Sequence, residues 1–504
     1  MNDPVTNFAI NFIAFVGIVF LVLFAIVVVV ALVLYQIDKH QTTQTIRRNY
    51  PLIGRFRYIF EHIGEFFRQY FFAQDREEMP FNRAEREWID KVSKKGTVTI
   101  PFGSTRNLTP GEVIFANGMF PKMEGEHENH LPKLIGAGTK HPYQPKSFFN
   151  LSAMSYGALS KPAVRALSRG AALGECWLNT GEGGISPYHL EGDCDLVYQL
   201  GTAKFGARND DGTLNEEKLR KLCENPNIKM IELKLSQGAK PGKGGILPAA
   251  KVTAEIAEIR GIPVGKPAIS PNRHVEAANP DQLLDLIHQI REVSGRPTGI
   301  KIVVGEIGTL EEFIRAIQQR GFESAPDFIT LDGGDGGTGA APMPLIDNMG
   351  LTIRESLPAC VDRLKSAGLD KRIRVIATGK LITSAEVAWA FCAGADYVSS
   401  ARGFMFALGC IQAMKCNTNN CPTGVTTHKK HLQRGLDPTN KAERVRKYVK
   451  SMRKEVTMIS HSCGVDHPND LTRRHARIVG VKGRTKPLSS IWPDVMSVEF
   501  DNNG

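Results

Sequence analysis

The stretch IRVIATGKLITSAEVAWAFCAGADYVSSARG, residues 373–403, decides the predicted fold. It begins with an apolar run rich in β-branched residues, continues through a segment of helical composition, and ends in a second apolar run. Strand-like runs that alternate with helical segments are typical of βαβ units, in which the two strands are parallel. The stretch therefore predicts one strand, a crossover helix and the next parallel strand.

The same alternation recurs upstream, where four more apolar runs precede glycine-rich loops or helix-like segments. They are SFFNLSAM (147–154), IKMIELKL (228–235), PTGIKIVV (297–304) and DFITLDGG (327–334). This number of units, with glycines clustered after the strands, favours a closed barrel over an open doubly wound sheet. The sequence therefore predicts an α/β fold, a (β/α)8 TIM barrel, whose chemistry lies on the loops after the strands.

The N-terminal residues predict a transmembrane helix before the barrel. Residues 4–37 contain no charged side chain, and a helix needs roughly 20 apolar residues to cross a bilayer. A cleaved signal peptide would need a basic start and a small-residue cleavage site, but Asp3 precedes this run with no Lys or Arg. The basic residues after the run predict a single-pass anchor in the inner or plasma membrane, with the catalytic domain in the cytoplasm. These residues are Lys39, Arg47, Arg48, Arg55 and Arg57.

Composition divides the 504 residues into five expected parts. The aromatic and basic second part is either an amphipathic helix on an anionic membrane surface or a helix packed on the main domain. The net charge of +11 indicates a nucleic acid, a membrane surface or no specific partner. The apolar N-terminus favours the membrane, and we expect no nucleic-acid partner. The parts are an anchor at 1–40, a juxtamembrane amphipathic segment at 41–95, a lead-in at 96–145, a cofactor-binding barrel with a cysteine loop at 146–435, and a helical, polar tail at 436–504.

Glycines after the later strands form loops that a phosphate group can approach. LDGGDGGTGAAP (331–342) follows an apolar run, and consecutive glycines can direct backbone N–H groups at a phosphate. Gly379 ends one strand of the 373–403 stretch, and Ala401 and Arg402 follow the next, where TIM barrels often hold a cofactor phosphate. These last two loops lack the dinucleotide fingerprint GxGxxG, which favours a mononucleotide over NAD.

Charged side chains are predicted to face the barrel interior. Alternation in IELKLSQGAKPGKGG (231–245) places Glu232 and Lys234 on one face of a strand, and Lys240 lies in the glycine-rich loop after it. A buried charge needs a partner or a function, so Glu232 and Lys234 form either a structural ion pair or part of a site. Lys301 lies alone in an apolar strand. It faces either N1 and O2 of a flavin or an inward carboxylate.

Three of the nine cysteines, Cys410, Cys416 and Cys421, lie in one loop. In a reducing cytoplasm such thiols are more often metal ligands or catalytic groups than disulfides. The C-x5-C-x4-C spacing lacks the CxxC pairs typical of zinc, for which His428 is the nearby fourth candidate. Three thiolates better suit an iron–sulfur cluster, and three ligands rather than four point to a three-iron cluster. Unligated buried cysteines are the remaining alternative.

Together these loops resemble the FMN-binding synthase domain of glutamate synthase. The matching segments are MSYGALS (154–160), NTGEGG (179–184), LSQGAKPGKGG (235–245), DGGTGA (335–340) and LGCIQAMKCNTNNCPTGV (408–425), within a similarity over roughly residues 100–470. The resemblance implies a TIM barrel that holds FMN and a 3Fe–4S cluster. It also implies addition of ammonia to 2-oxoglutarate and reduction of 2-iminoglutarate to L-glutamate, with electrons from a ferredoxin or an NAD(P)H-oxidising subunit.

The resemblance also implies roles for individual residues. The three loop cysteines match the cluster ligands. Arg260 would bind a substrate carboxylate, Lys240 would polarise the oxo or imino group, and Glu182 would position ammonia or transfer protons. Lys234 is the fourth catalytic candidate. The expected cofactor-binding residues are Ala153, Met154, Ser155, Lys301, Gly336, Gly337, Thr338, Gly339, Gly379, Ala401 and Arg402.

Two departures from the family leave the substrate and the ammonia source open. No segment resembles the glutaminase domain, so we expect ammonia from solution or from a glutaminase partner, and electrons from a separate donor. Ile246 stands where the family often has a polar residue, commonly Gln, which keeps another oxo acid, imine or amino acid open as the substrate. A third interpretation is a membrane-docked flavin and iron–sulfur electron-transfer module. Glu182, Lys240 and Arg260 argue against it, because electron transfer needs no carboxylate-binding residues.

Overall fold

Eight parallel strands close into a barrel, which confirms the predicted (β/α)8 TIM barrel. The structure is a computed structural model that describes residues 4–96, 98–123 and 132–500. Each strand pairs with the next along the chain, and β8 pairs with β1. The strands are β1 (Phe149–Leu151), β2 (Leu178–Asn179), β3 (Leu196–Leu200), β4 (Ile228–Lys234), β5 (Thr298–Ile302), β6 (Phe328–Asp332), β7 (Arg374–Thr378) and β8 (Tyr397–Ser400).

Five of the helices between strands begin where a polar side chain accepts a hydrogen bond from one of the first backbone N–H groups. Before helix Lys161–Gly174, the Ser160 hydroxyl accepts a hydrogen bond from the Ala163 N–H (3.3 Å). Before helix Ser384–Cys392, the Thr383 hydroxyl and the carboxylate three residues on form a capping box. The other helices between or after the strands are Pro187–Leu190, Glu216–Cys223, Ala254–Arg260, Pro280–Ser294, Ile307–Arg320, Met343–Ile346, Ile353–Ser366 and Arg402–Ala407.

Apolar side chains close the amino-terminal end of the barrel. Ile135 and Tyr143 of the lead-in exchange two backbone hydrogen bonds (2.9 and 3.0 Å) and join a buried cluster with Trp177, Phe328 and Tyr397. Phe328 and Tyr397 are the first residues of β6 and β8, so the cluster lies where strands begin. The carboxyl ends of the strands therefore remain for chemistry.

Residues 85–504 form one compact unit, whose C-terminal part adds a long helix and a small sheet. Helix Pro438–Ser462 packs against helix Lys161–Gly174. The three strands of the antiparallel sheet join the lead-in to the C-terminal region and are Val113–Phe115, Ala476–Val479 and Thr485–Pro487. The remaining short elements are Ala249–Lys251, Phe322–Ser324, Lys430–Gln433, Pro468–Asp470 and Leu488–Ile491, together with the antiparallel pair Ile246–Leu247 and Ala268–Ile269.

Residues 1–84 form the other compact unit. Its first helix is Pro4–His40, and Asn7–His40 is long and apolar enough to cross a membrane, with a mean hydropathy of 3.5 in its most apolar window. No other helix in the described ranges meets this criterion of length and composition. The later helices are Thr45–Asn49, Gly54–Phe67, the π-helical turn Arg68–Phe72, and Arg83–Lys95, which continues into the second unit.

Candidate active site

A cavity of about 1220 Å³, its open mouth included, lies at the carboxyl ends of the barrel strands. Loops after β1, β2, β4, β6, β7 and β8 contribute to its walls, as expected for a TIM barrel. Three predicted site residues, Gly336, Cys410 and Cys421, do not line it. Those that do are Ala153, Met154, Ser155, Glu182, Lys234, Lys240, Arg260, Lys301, Gly337, Thr338, Gly339, Gly379, Ala401, Arg402 and Cys416.

Among the charged side chains that line this cavity, one carboxylate and three cations interact with one another. The Lys234 Nζ, from the end of β4, lies 3.0 Å from the Glu182 Oε1, in the loop after β2. Burial raises the pKa of Glu182, but Lys234, Lys240 and Arg260 outweigh burial and lower the pKa below its ordinary value. Glu182 is therefore ionised at neutral pH, and the cluster carries more positive than negative charge. Such a site favours an anionic ligand.

Gly245 gives the Glu182 carboxylate its space. A Cβ on Gly245 would lie 2.3 Å from the Glu182 Oε1, so a larger residue there would require the carboxylate to move. Gly245 ends the glycine-rich segment that follows β4 in the sequence. The glycine thus leaves the carboxylate its present position, which the sequence pattern alone could not specify.

Arg260 is buried with part of its hydrogen-bonding capacity unused. Its side chain is 4% exposed, and Nη2 donates to the Tyr156 carbonyl (3.2 Å). The guanidinium lies over the Phe205 ring at 5.2 Å, and Nε has no hydrogen-bond partner among the described residues. Burial lowers the pKa of Arg260 to about 10, so the group remains charged at neutral pH. A buried cation with an unsatisfied donor is suited to binding a carboxylate.

Lys240 is the cation whose protonation is most affected by the cavity. It is 3% exposed, and no hydrogen bond of its ammonium occurs among the described residues. Burial, and then the charge of Lys234, lower its pKa to about 8, although Glu182 opposes them. Lys240 can therefore hold or release a proton near physiological pH, as an acid–base group requires.

Glu232 and Lys234 both point into the barrel, as strand alternation predicts, but they do not pair with each other. Glu232 accepts hydrogen bonds from the Asn179 side chain (2.7 Å), the Gln199 side chain (2.6 Å) and the Thr330 hydroxyl (2.5 Å). Lys234 instead bonds Glu182 and the side chain of Gln237. The Glu232 carboxylate is therefore a structural centre below the cavity, whereas Lys234 belongs to its wall.

Lys301 has an inward carboxylate as partner and also faces the cavity. Its Nζ lies 3.3 Å from the Asp332 Oδ2, and the Gly238 N–H donates to the same oxygen (3.0 Å). Burial lowers the pKa of Lys301, but Asp332 and Glu232 outweigh it and raise the pKa above its ordinary value. Lys301 is thus a fixed positive charge at the end of β5. The inward carboxylate, one of the two alternatives from the sequence, is therefore present, and Lys301 also lines the cavity. The flavin neighbour stays a prediction.

The loops after β6 and β8 meet through Arg402. Its Nη2 donates a hydrogen bond to the Thr338 carbonyl, and a Cβ on Gly337 would lie 2.6 Å from the Arg402 Nε. A larger residue at position 337 would therefore require the guanidinium to move from the loop. The result is a cradle of backbone groups and one arginine at the cavity edge, with the composition of a phosphate site.

The cysteine loop lies beside the cavity and contains only free thiols. Burial raises the pKa of Cys410 to about 11, whereas the hydroxyls of Thr423 and Thr426 outweigh burial and lower the pKa of Cys421. Lys251 is buried and donates to the Ala158 carbonyl (2.5 Å) and the Cys416 carbonyl (3.4 Å). It therefore ties the cysteine loop to the loop after β1.

The three loop thiols do not form a three-ligand site for a single metal ion. In the described ranges, no three Cys, His, Asp or Glu side chains converge closely enough to hold one ion. The iron–sulfur cluster therefore stays a prediction from the sequence. His428, the candidate fourth zinc ligand, bonds the Gly157 carbonyl through Nε2 (2.8 Å). Its ring is thus engaged with the backbone.

Three polar residues of the site were missed by the sequence reasoning. Gln199 and Asp332 line the cavity and bond Glu232 and Lys301, respectively. Gln237 connects Lys234 to the Thr338 hydroxyl (2.8 Å). Asp332 and Gln237 directly follow or end predicted strands, and that position is a usable signal. Gln199 lies in β3, a strand that the sequence did not reveal.

Comparison with known proteins extends over most of the chain. The family model described as a conserved region in glutamate synthase matches residues 122–466. The chain is 40% identical over 490 residues to the glutamate synthase large subunit-like protein YerD of Bacillus subtilis (strain 168), covering 90% of this chain and 93% of that protein. It is 35% identical over 338 residues to an archaeal glutamate synthase (NADPH) of Methanocaldococcus jannaschii, covering 66% of this chain and 62% of the relative.

Both the match over residues 122–466 and the 40% identity along nearly the full chain include the cavity residues and the cysteine loop. The segments that carry the resemblance in the sequence all lie within these limits. The chain therefore belongs to the glutamate synthase family and is an oxidoreductase of that type.

Proposed function

We propose that this protein catalyses the reductive amination of 2-oxoglutarate by ammonia to L-glutamate. The observation that carries the proposal is the cluster of Glu182, Lys234, Lys240 and Arg260 in one cavity. In the overall reaction, ammonia adds to the 2-oxo carbon and water leaves, which gives 2-iminoglutarate. Two electrons and two protons then reduce the carbon–nitrogen double bond.

The charge of the cluster supports a dicarboxylate substrate. Three cations face one carboxylate, and two substrate carboxylates would balance the excess. Arg260 binds one of these carboxylates through its unsatisfied Nε–H and the adjacent guanidinium edge. Glu182 and Lys234 form an ion pair at 3.0 Å, so Lys234 neutralises Glu182 and leaves the other two cations for the substrate.

Lys240 and Glu182 are the proposed proton-handling groups. With a pKa of about 8, Lys240 is mostly protonated at neutral pH and can polarise the oxo or imino group. Glu182 is ionised because its pKa is lowered, so it can accept a hydrogen bond from ammonia and orient its lone pair. Gly201 and Gly245 pack against this side chain, because a Cβ on either would lie within 3 Å of Glu182.

FMN is the proposed flavin, and the cavity wall fits it. Ala153, Met154 and Ser155 would lie against the ring, and Lys301 would be its cationic neighbour. The phosphate would contact Arg402, Ala401 and the loops that contain Gly336, Gly337, Thr338, Gly339 and Gly379. When bound, FMN supplies the hydride for reduction of the imine.

A 3Fe–4S cluster on Cys410, Cys416 and Cys421 is the proposed entry point for electrons. When bound, such a cluster supplies one-electron transfer. We infer a separate donor, either a ferredoxin or an NAD(P)H-oxidising subunit, and ammonia from solution or from a glutaminase partner. The relative in Methanocaldococcus jannaschii carries NADPH in its name, which supports a reduced pyridine nucleotide as the ultimate source.

We also propose that helix Pro4–His40 is a single-pass anchor in the inner or plasma membrane. The candidate span Asn7–His40 has 34 residues, and basic residues lie at its end and after it, which supports a cytoplasmic catalytic unit. The synthase reaction would then occur beside a membrane.

A second candidate function keeps the same chemistry but changes the substrate. Ile246 lines the cavity with Leu247 and Ala268, which gives part of the wall an apolar surface. An oxo acid, imine or amino acid with an apolar side chain would contact this surface more favourably than a second carboxylate.

A steady-state assay distinguishes the two candidates. The detergent-solubilised full-length chain is supplied anaerobically with dithionite-reduced ferredoxin, ammonium and a panel of 2-oxo acids. The proposal predicts L-glutamate from 2-oxoglutarate, lost in Lys240→Met and retained in Lys266→Met, an exposed lysine on the same connection after β4. Faster turnover of an apolar oxo acid would favour the second candidate, and no turnover of any oxo acid would contradict both.

A further inference from the structure

A buried carboxylate joins the apolar N-terminal helix to the helix that follows it. Asp38, in the last turn of Pro4–His40, is fully buried. Its Oδ1 accepts hydrogen bonds from Arg47 Nε (2.9 Å) and Nη2 (2.6 Å), and from Arg55 Nη2 (2.7 Å). Its Oδ2 accepts hydrogen bonds from Arg55 Nε (2.7 Å) and the Leu52 N–H (3.1 Å). We call this group the Asp38 clamp.

The Asp38 clamp fixes the start of helix Gly54–Phe67 beside the end of the apolar helix. Arg55 is the second residue of Gly54–Phe67. Its guanidinium donates two hydrogen bonds, one to each oxygen of the Asp38 carboxylate. Such forked, charge-assisted bonds are short and directional. The Asp38–Arg55 ion pair therefore connects the last turn of Pro4–His40 directly to the first turn of Gly54–Phe67.

Helix Gly54–Phe67 exposes a continuous apolar face. Phe56, Phe60, Ile63 and Phe67 are spaced as one helical stripe and are 55%, 67%, 38% and 48% exposed. The stripe continues into the π-helical turn that follows. Further exposed apolar side chains of the segment are Ile59, Phe66, Tyr70, Phe71 and Phe72.

We propose that this face lies in the headgroup and acyl-chain boundary of the lipid bilayer that Pro4–His40 spans. The inference rests on the proposed anchor and extends it. An aromatic patch of this size marks an interaction surface. Lipid is the partner that we assign to this face, because the Asp38 clamp holds the start of the helix beside the end of the apolar span.

The polar side of the helix agrees with this orientation. Glu61 and Glu65 lie on the side away from the aromatic stripe and Arg57 lies at its edge, so these charged side chains would face water. The 14-residue helix extends roughly 21 Å along the surface and buries its apolar side about 5–10 Å deep. The chain would thus contact the membrane twice, through a spanning helix and a surface helix joined by one buried carboxylate.

Tryptophan fluorescence in nanodiscs of brominated phosphatidylcholine tests the proposal. The full-length chain carries either Phe60→Trp, on the aromatic stripe, or the matched control Glu61→Trp, one residue away on the polar side. The emission of the four native tryptophans, measured in the unsubstituted chain, is subtracted. Bromine should quench the added emission of Phe60→Trp and leave that of Glu61→Trp nearly unchanged. Equal quenching of the two, or none in either, would overturn the proposal.

A third variant separates this proposal from the anchor itself. Phe20→Trp lies in the middle of Pro4–His40 and reports whether that helix is in the bilayer. Quenching of Phe20→Trp without quenching of Phe60→Trp would keep the anchor and reject the surface helix. A blue shift of Phe60→Trp without bromine quenching would show that protein covers the stripe, a second copy of the chain or another partner, and would also reject it.

The clamp predicts a further result in the same nanodiscs. Asp38→Asn removes the charge that holds both arginines, so the quenching of Phe60→Trp should decrease while that of Phe20→Trp stays constant. Asp75→Asn, an exposed carboxylate near a single arginine in the same unit, is the matched control and should change neither. Unchanged quenching of Phe60→Trp in the Asp38→Asn background would contradict the positioning role of the clamp.

Discussion

Replacing Arg260 by lysine should weaken 2-oxoglutarate binding without unfolding the protein. The substitution keeps the positive charge but removes the planar guanidinium whose Nε is unsatisfied and whose Nη2 bonds the Tyr156 carbonyl. A lysine ammonium cannot make the same forked contact with a carboxylate. The change therefore isolates geometry from charge.

The magnitude follows from the hydrogen bonds at stake. A hydrogen bond to a charged group contributes about 1.5–3 kcal/mol, and each factor of ten in affinity corresponds to about 1.4 kcal/mol. Loss of the fork should therefore lower kcat/KM for 2-oxoglutarate by roughly 10- to 150-fold. The KM for ammonium should change little, because Arg260 is assigned to the substrate carboxylate.

The assay is glutamate formation with each substrate varied in turn, and the control is Arg208→Lys. Arg208 lies over the same Phe205 ring, at 5.9 Å, but does not line the cavity. The control should retain the kinetics of the unsubstituted chain, and both variants should melt within a few degrees of it. An unchanged KM for 2-oxoglutarate in Arg260→Lys would refute the carboxylate assignment.

Three further predictions follow from the site. Glu182→Gln leaves Lys234 without its ion-pair partner at 3.0 Å, so urea unfolding should show a free energy of unfolding lower by about 3 kcal/mol. The exposed control Asp75→Asn should lower it by less than about 1 kcal/mol. Equal losses in the two variants would contradict the stabilising role of the Glu182–Lys234 pair. Lys240 is charged below its pKa of about 8 and neutral above it, so kcat should fall as pH rises through about 8. Lys240→Arg should abolish this decrease in the pH profile. An identical decrease in the variant would show that another group causes it. Cys416→Ser should lower the iron content of the purified protein and leave its flavin content unchanged. The control Cys392→Ser, which replaces a buried cysteine in a barrel helix, should lose neither iron nor flavin. A full iron content in Cys416→Ser would contradict the assignment of Cys416 as a cluster ligand.

The strands that the sequence revealed are those with apolar runs of several residues. β1 and β4 to β8 lie close to the predicted positions, and β4 to β8 each have four residues or more. β2 has only two residues, and it exists because neighbouring strands pair with it on both sides. β3 is buried at all five positions and therefore shows no alternation of polar and apolar residues. Tertiary pairing, rather than local pattern, defines these two strands.

The site residues that could be predicted are those whose type and position in the sequence indicate a function by themselves. Clustered cysteines, a lysine alone in an apolar strand and glycines after strands were all visible in the sequence. The partner of each charge was not: Lys234 pairs with Glu182 from a different loop, and Lys301 with Asp332 from the next strand. Such pairs depend on how the barrel closes, which brings residues distant in sequence to the same rim.

A single-turnover experiment tests the central claim most directly. The full-length chain is reduced anaerobically with a known amount of dithionite, excess reductant is removed, and 2-oxoglutarate and ¹⁵N-ammonium are added. The account predicts reoxidation of the bound chromophores and one ¹⁵N-labelled L-glutamate for every two electrons released. Reoxidation that needs neither substrate, or a reduced protein that stays reduced with both present, would contradict reductive amination at this site.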